Sequence, residues 1–141
     1  MTPMTQPPRR PDWRSRLNAY LAEIAPADFS YGSNDCALFV AGAVRALTGH
    51  DPAAAWRGTY TTLEGGLKRL KKAGIADHVA VVDGLFQRVA PAFAQVGDVA
   101  LLRAESSEGL GIVVGETVVC LSPRGLAHLP RNFIIAAWTV P

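Results

Sequence analysis

The chain has 141 residues, 49% of them hydrophobic and only 18% charged, which excludes a disordered polymer and suits one domain with its own core. Its 14 basic and 12 acidic side chains leave a net charge of +2, too small to argue for nucleic acid or an anionic membrane as a partner. Two cysteines exclude a disulfide framework and an iron–sulfur cluster held by this chain alone.

Residues 1–11, MTPMTQPPRRP, carry four prolines and almost no large apolar side chain. They read as an extended tail that makes few contacts with the rest of the chain, ahead of a single domain over residues 12–141. The tail has no apolar stretch of the kind a secretory signal needs, and no run approaches the roughly 18 apolar residues of a membrane helix. The expectation is a protein made in the cytoplasm and not exported by the usual route.

A first helix is expected from an Asp12 cap, with Trp13, Leu17, Tyr20, Leu21 and Ile24 on one face and Pro26 beyond its end. The clearest element follows. Asn34 and Asp35 supply a cap for Cys36–Gly49, CALFVAGAVRALTG, in which Arg45 is the only charge. A helix apolar on almost every side belongs in the middle of a domain, and Gly49 suits its C-terminal stop. A third helix is expected over residues 62–73, with Leu63, Leu67 and Leu70 on one face and a solvated cluster of Lys68, Arg69, Lys71 and Lys72.

Beyond residue 85 the pattern changes to strands: Val96–Arg103 after a Gly-Asp turn, Gly109–Gly115 and Thr117–Ser122 as a hairpin about Gly115-Glu116, then residues 124–130 and 133–140. Helices first and antiparallel strands later give an α+β fold.

Cys36 is the first candidate for chemistry. At the start of a buried helix, unpaired backbone N–H groups and the positive end of the dipole favour a thiolate, unless desolvation cancels the effect. A small apolar cysteine also simply fills a core gap. Asp35 either belongs to such a site or only caps the helix, a role worth roughly 0.3–1 kcal/mol. Tyr31 either lines a substrate groove or covers the end of the central helix. Of the histidines, His50 lies a full helix length from Cys36, about 21 Å at 1.5 Å per residue. His128, in GLAHLP, and His78, in the apolar stretch IADHVAVV, are the two candidate bases, His128 ahead of His78. Cys36, Cys120 and one histidine make a poor metal site, so no metal and no cofactor is expected.

The stretch YGSNDCALFVAGAVRALTG resembles the nucleophile segment of the NlpC-type peptidoglycan endopeptidases, within the papain-like cysteine peptidase superfamily, through Tyr31, Gly32, Asp35, Cys36 and the helix that follows. QVGDVALL resembles the family's Gly-Asp strand start at Gly97 and Asp98, and residues 111–115 resemble its next strand. The sequence also resembles proteins encoded among phage tail genes, through the NDCALF segment, Gly125-Leu126 and Ala137-Trp138. The resemblance implies a papain-like fold, with the central helix from Cys36 packed on an antiparallel sheet. It puts the family's catalytic histidine at about Leu110 and its third polar group near Cys120, neither of which moves a proton for Cys36. It therefore implies a structural or assembly component of a phage tail tip on a degenerate peptidase fold, delivered by the virion. The alternative is an active cysteine peptidase that cuts peptidoglycan. The expected partners are other tail-tip proteins and peptidoglycan, with no nucleic acid and no membrane span.

Overall fold

Asp35 starts the helix around which the molecule is built. The computed structural model describes residues 6–104 and 107–141. In it the Asp35 carboxylate accepts from the Leu38 N–H at 2.9 Å, and Gly49 closes the other end of the helix in the left-handed conformation. Between them runs α2 (Cys36–Thr48), with Leu38, Phe39, Val40, Ala43, Val44 and Leu47 all buried, as its apolar circumference requires.

Before α2 lies α1 (Trp13–Ile24); after it come α3 (Leu63–Lys72) and α4 (His78–Leu85). The strands are β1 (Gln87–Val89), β2 (Val99–Ala104), β3 (Ser107–Val113), β4 (Thr117–Ser122), β5 (Gly125–Pro130) and β6 (Ile134–Thr139). They form one antiparallel sheet in the order β1-β6-β2-β3-β4-β5, and the molecule is α+β. Among the described residues no helix is long and apolar enough to cross a membrane.

Two cores divide the sheet. Val99, Leu101, Leu110, Ile112, Val119 and Trp138 pack with α2 and with Leu17 of α1. Ala100, Leu102, Val113, Val118, Ile134 and Ala137 form the second cluster, with Ala94 and Phe133 from the two short turns flanking the strands. The period of two thus buries both faces of the central strands. The β3–β4 hairpin turns at Gly115-Glu116, closed by the Val114 N–H on the Thr117 carbonyl.

The structure departs from the sequence expectations, or adds to them, in four places. Asp12 precedes α1, but its side chain makes no capping bond; the Arg10 carbonyl takes the Trp13 N–H instead. The apolar stretch around His78 is a helix, α4, capped by the Asp77 side chain on the Ala80 N–H. The short strand β1 extends the sheet beside β6.

The fourth correction concerns the N-terminal segment, whose residues 1–5 lie outside the described ones. Residues 9 and 10 are not free. The Arg9 N–H donates to the Pro141 carbonyl and the Arg10 N–H to the Leu47 carbonyl, each at 2.7 Å. The Arg9 guanidinium donates to the Val140 and Val96 carbonyls and to Asp98, an ion pair in which both side chains are largely buried. Asp98 also accepts the Gln95 and Val140 N–H groups. Gly97, at φ +91°, lets the guanidinium lie close: a Cβ there would come within 2.6 Å of it. The segment lacks an apolar face, but its arginine fork supplies what burial does not.

Candidate functional site

The loop before α2 is shaped by one carboxylate. Asp35 is 3% exposed and accepts three hydrogen bonds: from Leu38 N–H, from Gly32 N–H at 3.0 Å and from the Tyr60 hydroxyl at 2.5 Å. Gly32, at φ +86°, lies so close to residue 60 that a Cβ would fall 1.8 Å from the Tyr60 carbonyl oxygen. The Gly58 N–H donates to the Gly32 carbonyl, and Arg57 ties Asp51 to the Leu38 carbonyl. The segment 51–60 is thereby strapped across the first turn of α2. Burial, and then the bond to Asp35, push the Tyr60 phenol well above its ordinary range.

Cys36 follows immediately, half-buried. Burial raises its thiol above the ordinary value; the Leu110 backbone opposes this, the Asp35 charge adds to it, and the backbone at Ala37 and at Cys36 itself opposes it again. Of the two outcomes the sequence leaves open, a thiol acidified by the helix start or one in which desolvation cancels that effect, the second fits: desolvation outweighs the backbone donors. Leu110 itself is buried in β3.

Cys36, Tyr31, Asp35 and Tyr60 line one cleft with His78 and Cys120, with a volume of about 510 Å³. Tyr31 packs edge-on against Phe29. The Nε2 of His78 is buried and has no hydrogen-bond partner among the described residues. His128 lies exposed on β5, with Nδ1 3.4 Å from the Thr117 hydroxyl. His50 is exposed just past the far end of α2. Burial and the proximity of Cys36 raise the Cys120 thiol as well. The fold therefore gathers Tyr31, Asp35, Cys36 and His78 around one cavity. No imidazole nitrogen hydrogen-bonds to the Cys36 sulfur among the described residues. Among the described residues no three or more His, Cys, Asp or Glu side chains stand close enough together to hold a metal ion.

Tyr60 is the site residue that sequence reasoning missed. It stands 25 positions from Asp35, and no local pattern links a tyrosine in GTYTTLEGG to that carboxylate.

No curated protein shows a significant match to the sequence. A family model does match, over residues 8–140, so that it includes the Arg9 anchor, the Cys36 helix and every strand of the sheet. The chain belongs to the family described as a domain of unknown function, DUF6950.

Proposed function

We propose that the chain is a non-catalytic protein on a degenerate papain-like fold of the NlpC type, serving as a structural or assembly component of a phage tail tip. One observation carries the first half of this reading: the Cys36 thiol, raised by burial, is served by backbone groups and, among the described residues, by no imidazole. Hydrolysis of an amide by a thiol needs a group that takes the thiol proton and returns it to the departing amine, a contribution of roughly 10²–10⁴-fold. The place where the resemblance puts that group holds Leu110, which cannot carry a proton. Asp35 is fully engaged in holding the loop and capping the helix, so the Asp-Cys pair has a structural reason to exist. The assignment to a phage tail rests on the NDCALF segment and the Gly-Leu and Ala-Trp endings.

A second reading has one observation in its favour: His78 lines the cleft of Cys36 with an unpartnered Nε2, which suits a base that engages only with substrate bound. Incubating purified protein with peptidoglycan separates the two. The expected result is release of fragments no greater than that of the Cys36→Ser variant. Cys36-dependent release, abolished by His78→Ala or His128→Ala, would establish the peptidase and identify its base.

A further inference from the structure

The cleft is larger and more apolar than a cysteine with a capped carboxylate requires. Its volume of about 510 Å³ lies within the roughly 300–1,000 Å³ of small-molecule sites. Three helices supply aliphatic walls: Val40 and Val44 from α2, Leu67 and Leu70 from α3, and Val82 from α4. A peptide or a sugar placed against these walls would bury several polar groups without partners, at roughly 1–3 kcal/mol each. The occupant these walls favour is mostly hydrocarbon.

Asp35, Tyr60, Glu108 and Ser122 also border the cleft, each with its side chain already hydrogen-bonded within the protein. His78 begins α4, and its Nε2 is buried with no hydrogen-bond partner among the described residues. The nitrogen has almost no accessible surface in this structure, so a ligand group pairs with it only once the imidazole turns toward the cleft that the ring lines. Nε2 accepts from a hydroxyl or a protonated carboxyl when it is the bare nitrogen, and donates to a carbonyl or carboxylate when it carries the proton.

We infer that the cleft between α2, α3 and α4 is a binding site for a small, mainly aliphatic molecule with a single oxygen-bearing head, and that His78 pairs with that head. The inference uses none of the thiol chemistry of Cys36 and stands whether or not the protein is a peptidase.

The test uses the full chain and the dye N-phenyl-1-naphthylamine, which brightens in apolar surroundings, with 1-decanol and decanoate as competitors. The expected result is saturable binding of one dye per chain, displaced by at least one competitor. Displacement by decanol alone marks a hydroxyl head and by decanoate alone a carboxylate; displacement by both marks a head read through its shared oxygen, and each supports the site. Leu67→Trp, which fills the cleft from α3, and Ala53→Trp, which fills it from the loop after α2, should each weaken dye binding at least about tenfold, the equivalent of about 1.4 kcal/mol. Far-UV circular dichroism and urea midpoints confirm that each variant is folded, and two variants on separate elements guard against the loss of either. His78→Phe should keep dye binding and weaken displacement by the competitor about fivefold to tenfold, as loss of one hydrogen bond predicts. Absence of saturable dye binding, failure of both competitors, binding that survives both tryptophan variants in folded protein, or unchanged displacement in His78→Phe would each overturn the inference.

Discussion

Removing the Tyr60 hydroxyl should destabilise the protein through Asp35 and through nothing else. The Tyr60→Phe variant keeps the ring against Gly66 and Gly32 and deletes one bond, at 2.5 Å, to a carboxylate that is 3% exposed. A hydrogen bond to a charged group contributes roughly 1.5–3 kcal/mol. A value of about 2 kcal/mol corresponds to a fall in Tm of roughly 8 °C, at about 4 °C per kcal/mol for a chain of this size. Asp35→Ala removes this bond, orphans the Gly32 N–H and uncaps α2, and should cost about 3–5 kcal/mol. The decisive quantity is the coupling. In the Asp35→Ala background, Tyr60→Phe should cost less than about 0.5 kcal/mol, because its partner is already gone. Urea denaturation of the four proteins, followed by the fluorescence of Trp13, Trp56 and Trp138, closes the cycle. An equal cost of Tyr60→Phe in both backgrounds would show that the hydroxyl acts elsewhere and would refute the strap across the first turn of α2.

Arg9→Lys keeps a tryptic site and a positive charge but loses the fork that reaches Val140, Val96 and Asp98 together; it should cost about 2 kcal/mol and open to trypsin the bond after residue 9, which the native anchoring should protect. Alkylation of Cys36 by iodoacetamide should be slower than that of a free thiol near neutral pH and rise only in more alkaline solution, because burial raises its pKa; fast labelling at neutral pH would contradict this. Burial pushes Tyr20 up to about 12 and raises Tyr60 further, whereas tyrosines in the unfolded chain ionise near about 10. The folded protein then holds more protons than the unfolded one above that pH, so stability present below about pH 10 should fall as pH rises towards the folded values; urea midpoints at about pH 9 and about pH 11 measure it, and no fall between them would contradict the two burials.

What the sequence disclosed and what it withheld follow from the range of the interactions. Helix α2 is legible because its cap, its apolar circumference and its glycine stop lie within fifteen consecutive residues. Strands β2 to β6 are legible for the same reason: their alternation and turn residues are local. Helix α4 was obscured by its own composition, since HVAVVDGL offers too short a run for periodicity to separate helix from strand; Asp77, a good cap, was the available signal. The anchoring of Arg9 was not legible at all. Its acceptors stand 87, 89 and 131 positions away, and the prolines around it read only as an extended chain. At the site, the sequence pointed to Asp35, Cys36 and Tyr31, which the fold gathers on one cleft, and it ranked His128 above His78. Only the arrangement of helices shows that His78 borders the cleft while His128 lies on an exposed strand. The direction of the Cys36 shift depended on a burial that a helix start alone does not reveal.

Helix α3 contributes no buried residue, and its bonds run to its own flanks: the Thr62 hydroxyl to the Gly65 N–H, Arg69 to the Thr59 carbonyl, the Ile75 N–H to the Leu70 carbonyl. Such a segment adds little to the global free energy of unfolding, and ten residues are too few to persist as a helix in isolation. Its stability is therefore local rather than shared with the sheet and α2. Leu67 and Leu70, which border the cleft, sit on this helix, so the firmness of that wall is a local quantity of ten residues rather than a property of the whole domain.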